Sequence, residues 1–358
     1  IKARRLFSSV KEKVLDGASE DQKIIEIEVE EQPTGEISAG AGFGTAGGSF
    51  GFDITENNWL GKGIKLSANA DVSTESVRGS LSFTDTNYNF TGKDLTYNLE
   101  NSKTDKKDSG FENRVLGAGV NISYEKFKDI YFSPGIGLTF DDLTTDSTAS
   151  DLLKKQSGSS VDFMFDYALT TDKRDRKFMP TGGHLTSFFQ ELPLYADQPH
   201  LKNSFTSNHY KEISEDIIGA FKFGVTAING INDEDVRLSQ RLDLSSKRLR
   251  GFEPGKIGPK DGDDFIGGNY STSLNLEANF PNFFPEKSNA EIGLFLDAGN
   301  VWGVDYSDSI DDSNELRSTL GINTSWLSPA GPLSFIFSKN ITKADTDVDQ
   351  SFNFRLGT

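Results

Sequence analysis

The stretch Gly42-Phe43-Gly44-Thr45-Ala46-Gly47 carries the G-x-G-x-x-G spacing that cradles a dinucleotide's pyrophosphate. That spacing works only between a strand and a helix, because the phosphate rests on N–H groups at the helix N-terminus. Here Ile37, Ala39, Ala41 and Phe43 alternate with Ser38, Gly40, Gly42 and Gly44, and beyond the glycines Phe50, Phe52 and Ile54 alternate with Gly51 and Asp53. Period two on both sides predicts a strand hairpin turning at Gly47-Gly48, with no helix behind it. The match is accidental, and the glycines need another use.

Other chemistry-bearing residues are sparse. His184, His200 and His209 fall on different predicted segments or strand ends, without nucleophile–base spacing, so no catalytic residues and no enzyme activity are expected. The acidic runs Asp261–Asp264 and Ser307–Asn314 could hold calcium, but neither has EF-hand spacing, and solvated loops are the expected reading. The chain has no cysteine, which excludes disulfides, thiolate metal sites and cysteine nucleophiles. No cofactor or metal is expected. With 54 acidic against 37 basic residues the net charge is −17, a field that repels nucleic acid.

The elements that carry these residues have an unusual composition. The 358 residues include 28 Phe and 35 Gly, yet mean hydropathy is −0.47 and no run of 18 apolar residues offers a membrane helix. A membrane β-barrel combines such numbers, since only every second residue faces lipid. Alternation recurs along the chain. Ile64, Leu66, Ala68, Ala70 and Val72 face away from Lys65, Ser67, Asn69 and Asp71; comparable segments are Leu116–Tyr124, Val161–Leu169, Phe221–Val225, Leu274–Phe280, Ile292–Ala298 and Phe352–Leu356. There are about sixteen, each near the roughly 9–11 residues a tilted strand needs to cross a bilayer. Trp59, Tyr88, Phe90, Tyr131, Phe283, Phe284, Trp302 and Trp326 cluster near segment ends, as interface girdles do. A closed barrel with an even number of antiparallel strands satisfies every backbone group in lipid.

Two regions stand outside this pattern. Residues 1–33 place Leu6, Phe7 and Val10 at helical spacing and then alternate Ile25, Ile27 and Val29 with charges, which predicts the tail of a small α/β domain. The start at Ile1, with no Met and no signal peptide, fits a mature fragment. Residues 34–358 form the barrel, interrupted at about 232–265 by a long charged connection whose expected place is inside the lumen.

Within that connection, Arg248 to Pro259 (RLRGFEPGKIGP) resembles the long loop of the BamA family of outer-membrane assembly proteins, with its Arg-Gly-Phe element. Gly258-Pro259, Gly267-Gly268-Asn269, FLDAGNVW (Phe295–Trp302), TTDKRDRKFMPTGG, WLSPAGPLSFIFSK and the ending FNFRLGT resemble further family motifs. The opening through Gly44 resembles a last polypeptide-transport-associated (POTRA) domain running into the first barrel strand, so the resemblance covers essentially the whole chain. It implies a 16-stranded antiparallel transmembrane barrel in the bacterial outer membrane, with its N-terminal domain in the periplasm. It also implies that Arg250, beside Gly251 and Phe252, pairs inside the barrel with Glu277 and Asp297. Alternation independently turns both acids inward, opposite Leu276, Ala278, Leu296 and Ala298.

The implied activity is to fold nascent outer-membrane proteins at a seam between the first and last strands. That gives the opening glycines their use: Gly40, Gly42 and Gly44, with Gly47 and Gly48, weaken the first strand by about 0.5–1 kcal/mol each. The partner strand runs near Ser351 to Thr358 and includes Phe352, Phe354 and Leu356. Implied partners are unfolded outer-membrane proteins, the lipid bilayer, and accessory lipoproteins reached through further POTRA domains; nucleic acid is not among them. The alternatives are a two-partner-secretion or translocation-module transporter, or a passive porin.

Overall fold

The computed structural model describes residues 6–356, apart from 20, 46, 178, 282, 286–289, 313, 329 and 330. The last two positions of the expected final strand, 357 and 358, lie outside the described residues. Near the N-terminus β1 (Phe7–Asp16) and β2 (Lys23–Glu31) form a separate antiparallel hairpin, with Val10 opposite Val29 and Val14 opposite Ile25. The helix expected from Leu6, Phe7 and Val10 is not formed. Three apolar positions are too few to fix a period, the strand absorbs the break in alternation in a register shift between Phe7 and Ser9, and β-branched Val10 and Val14 gain cross-strand partners only as a strand.

Sixteen strands then close into one antiparallel barrel. The first eight are β3 (Gly35–Gly44), β4 (Gly47–Trp59), β5 (Ile64–Ser73), β6 (Ser76–Asp85), β7 (Asp94–Lys106), β8 (Phe111–Phe127), β9 (Ile130–Thr145) and β10 (Gly158–Asp172). Next come β11 (Gly183–Ala196), β12 (His200–Ser214) and β13 (Ile217–Gly230). The long connection follows, carrying a small hairpin of β14 (Lys260–Asp261) and β15 (Asp264–Phe265). The wall is completed by β16 (Tyr270–Phe280), β17 (Ala290–Trp302), β18 (Arg317–Ser328), β19 (Gly331–Thr342) and β20 (Phe352–Leu356), which closes on β3. The connection therefore runs past its expected end near 265. Gly267, at φ +69°, and Gly268, whose β-carbon would sit 2.4 Å from the Trp302 carbonyl oxygen, break the chain before Tyr270.

The wall alternates as lipid requires. Ile37, Phe43, Phe50, Leu99, Leu116, Leu138, Phe140, Leu294, Leu320 and Phe337 are exposed on its outer face. Trp59 and Trp326 are exposed at strand ends, and Phe283 packs edge-on against Phe284. Tyr131 departs from the expected girdle. It has the parity of Gly135, Gly137 and Asp141, opposite Glu125 and away from the outward pair Tyr124–Phe132. The first hairpin turns between Gly44 and Gly47, slightly ahead of the expected Gly47-Gly48.

The long connection folds back against the inner wall and the barrel end opposite the N-terminal hairpin. Leu238 and Ile266 join Phe111, Leu143, Ala149 and Leu153, the last on the short helix α1 (Asp151–Lys154), in one apolar cluster. A second cluster gathers Leu244, Leu249, Phe252 and Ile257 around Val301 of β17. These apolar anchors fix the loop where its charged residues meet the wall.

Candidate functional site

The loop's Arg250 reaches the inner faces of β16 and β17. Its Nε and Nη2 donate to Asp297 Oδ2 and Oδ1 at 2.7 and 2.6 Å, a two-pronged grip, and its backbone N–H donates to Oδ2 at 3.1 Å. The same Nη2 lies 2.9 Å from Glu277 Oε1. Asp297 is fully buried, so it depends on these partners together with Asn275, whose amide donates to Oδ1 at 2.8 Å. Glu277 is shared with Lys222 Nζ at 2.7 Å. The guanidinium also stacks on Phe295, 3.6 Å from the ring centre.

Glycine makes this stack possible. A β-carbon at Gly321 would lie 2.4 Å from the Phe295 ring, so only a bare backbone lets that ring lie across β18 beneath Arg250. Gly251 is confined in turn: its φ is +93°, and a β-carbon would stand 2.4 Å from Asn340 Oδ1 and 2.7 Å from Thr319 Oγ1. Phe252, 2 % exposed, is the loop's apolar anchor. The structure thus brings Arg250, Glu277 and Asp297 together, with Gly251 and Phe252 setting the approach.

Sequence reasoning missed Asn275, Lys222, Phe295 and Gly321. Phe295 did carry a signal, because it breaks alternation between the outward Leu294 and Leu296. Further arginines pin the loop elsewhere. Arg237 donates to Asp141 at 3.2 Å and Arg241 grips Asp305; outside that loop, Arg317 of β18 is locked by two bonds of 2.9 Å to Asp347, in the connection between β19 and β20. Burial pushes the Asp305 carboxyl up, but Arg241 and the donors from Val236 and Asn269 outweigh it and hold Asp305 below the usual carboxylate range.

The seam is a second feature. The β3–β4 ladder runs unbroken from Gly35 opposite Glu56 to Gly44 opposite Gly47. On its other edge, among the described residues, β3 meets β20 where Gly44 faces Arg355 and Phe43 faces Leu356, with Thr45 N–H donating to the Phe354 carbonyl at 3.0 Å. Of the expected seam residues, Gly44 and Leu356 are in register across it. Phe352 and Phe354 stack on Phe337 and Phe335 of β19, at 5.0 and 5.4 Å. Gly40 and Gly42 pair with Gly51 and Ser49 of β4 and face no β20 residue among those described. A cavity of about 550 Å³ opens beside the seam, lined by Gly42–Gly44, Glu253, Lys256 and Arg355.

The histidines resolve differently from their sequence placement. His184 and His209 stack at 5.5 Å on the outer wall, and His209 Nε2 lies 2.8 Å from Ser207 Oγ, which also meets Thr186. His200 is buried and lies 3.2 Å from Glu191. Both arrangements read as polar groups satisfying one another.

Comparison with known proteins converges on this barrel. The outer membrane protein assembly factor BamA of Neorickettsia risticii (strain Illinois) is 25 % identical over 359 residues, covering 97 % of this chain and 47 % of that protein. The chain thus spans about half the length of that relative. The crystal structure of BamA from Haemophilus ducreyi lacking POTRA domains 1–3 superposes with a TM-score of 0.87 at 25 % identity, covering 100 % of this chain and 76 % of that one. CdiB from Acinetobacter baumannii shares the fold alone, at a TM-score of 0.62 and 10 % identity over 99 % of this chain and 66 % of that one. A family model described as the Omp85 superfamily domain matches residues 58–358, and with the barrel, the inserted loop and this match agreeing, the chain belongs to the Omp85 superfamily.

Proposed function

We propose that this barrel is the membrane part of an outer-membrane assembly factor, which folds unfolded β-barrel proteins into the bilayer at the β3–β20 seam. The observation that carries the reading is the seam itself: among the described residues, β3 presents a long edge to a strand that meets it at two register positions. An edge of unpaired N–H and C=O groups is a template for an arriving strand. In lipid such groups have no water to turn to, so an incoming strand that pairs with them relieves a cost of several kcal/mol per group. Apolar burial of the new barrel supplies the rest of the driving force, without nucleotide hydrolysis.

On this reading the protein sits in the bacterial outer membrane with the N-terminal hairpin on the periplasmic side. Residues 1–33 end a POTRA domain, and accessory lipoproteins dock through further such domains. The hairpin supports this, since Val14, Ile25, Ile27 and Val29 leave its apolar face exposed. A passive pore is disfavoured by a lumen into which Leu249, Arg250 and Phe252 are packed.

Reconstitution in liposomes with an unfolded barrel substrate tests the proposal. Substrate should acquire protease-resistant, heat-modifiable structure faster than in protein-free liposomes. Equal rates would remove the assembly reading, and large steady conductance would restore the pore.

A further inference from the structure

The segment leading into β20 is held from inside the barrel. Val348 N–H donates to the Lys256 carbonyl at 3.1 Å, Glu253 N–H to the Val348 carbonyl at 2.9 Å, and Gln350 N–H to the Gly251 carbonyl at 2.9 Å. Phe252 and Asp349 face each other as an antiparallel bridge between these bonds. Loop residues 251–256 and residues 348–350 therefore form a short backbone strap. Asn340 closes it from the wall, its amide donating to the Gly251 carbonyl at 3.0 Å and to Asp349 Oδ1 at 2.8 Å. At its far end the loop is tied to β16 and β17 through Arg250, one residue before the strap begins.

Beyond the strap, little fixes β20. Among the described residues it pairs with β19 from Leu333–Leu356 to Phe337–Phe352, and with β3 at two positions. A slip of one residue would turn Phe352, Phe354 and Leu356 from lipid into the lumen. The strap forbids that slip, because β20 begins two residues after Gln350.

We propose that Gly251–Lys256 is a positioning element for the seam: its strap sets where β20 starts, and so the register of Arg355 on Gly44. This rests on the assembly reading only for its biological consequence. As a statement about seam closure it stands or falls alone.

The chain has no native cysteine, so a Phe43→Cys, Leu356→Cys pair reports closure by its disulfide yield. In that background Gln350→Pro removes the N–H donor to Gly251. Gln350→Ala keeps the donor while removing the same side chain, whose Oε1 accepts from Asn353. The disulfide yield of the alanine variant should match the parent, while that of the proline variant should fall about fivefold or more, the effect of losing roughly one hydrogen bond. Equal yields in two folded variants would overturn the strap. Should the proline variant not fold, hydrogen exchange on the unaltered chain decides. The Gln350 and Thr45 amides should exchange in step; a protected Gln350 beside a freely exchanging Thr45 would overturn it. Insertion rates in the same liposomes separate the two ideas, because a lowered yield with unchanged insertion removes the assembly role of the seam and leaves the strap standing.

Discussion

Gly44 of β3 lies so close to Phe354 of β20 that a β-carbon there would stand 2.3 Å from the Phe354 carbonyl oxygen. The glycine that loosens the first strand is thus also the residue that lets the strands meet. At Gly44→Ala something must shift, and the Thr45 amide beside it should exchange about tenfold faster, the change that roughly 1.4 kcal/mol of lost closure produces. Hydrogen exchange read by mass spectrometry checks this, and Gly48→Ala, whose β-carbon meets nothing closer than 4.0 Å, is the control.

Arg250 and Asp297 form a buried pair, so breaking it from one side should cost more than removing both partners. Arg250→Ala or Asp297→Ala alone should destabilise the loop dock by about 3–5 kcal/mol, reduced where lumen water reaches the survivor. The double replacement Arg250→Leu, Asp297→Leu should be milder than either. Arg250→Lys should resemble the alanine variant, because an ammonium cannot supply the fork that both Asp297 oxygens receive. The midpoint of heat-induced mobility change on detergent gels checks the order.

Gly251 and Gly255 separate backbone strain from crowding. Both have positive φ, at +93° and +73°, but a β-carbon at Gly255 meets nothing within 4 Å. Gly255→Ala should cost only the left-handed penalty of about 1–2 kcal/mol. Gly251→Ala adds a collision with Asn340 and Thr319, and should release Phe252 from the second apolar cluster. Protease cleavage within residues 247–256 should rise for the first variant modestly and for the second strongly.

The loop cap should weaken in acid through Asp305. Its folded pKa is lowered, so its contribution is full above the ordinary Asp range and is lost as pH falls through that range toward the folded value. Cleavage beside Arg237 and Arg241, measured with an acid-active protease, should rise below about pH 4. Asp305→Asn should flatten that rise and start from a looser cap at neutral pH.

The barrel was legible because lipid enforces a rule on every second residue, so Ile64–Val72 or Val161–Leu169 needs no partner to be read. The rule ends where the membrane does. Leu6, Phe7 and Val10 were too few to fix a period, and only pairing with β2 decided it. The long connection was expected to end near 265, because the break at Gly267-Gly268 that carries it on to Tyr270 depends on the distant Trp302 carbonyl. Arg250, Glu277 and Asp297 were legible through motif and parity together, whereas Phe295 and Gly321 act as a pair across two strands that no local spacing reveals. The strap was invisible: its bonds are backbone to backbone, and nothing in Val348 or Gln350 marks them.

Locking the seam is the decisive measurement. With Phe43→Cys and Leu356→Cys oxidised to a disulfide, the protein should fold, insert and lose its ability to accelerate substrate assembly, and reductant should restore it. Unimpaired assembly by the fully oxidised form would contradict a seam that must part.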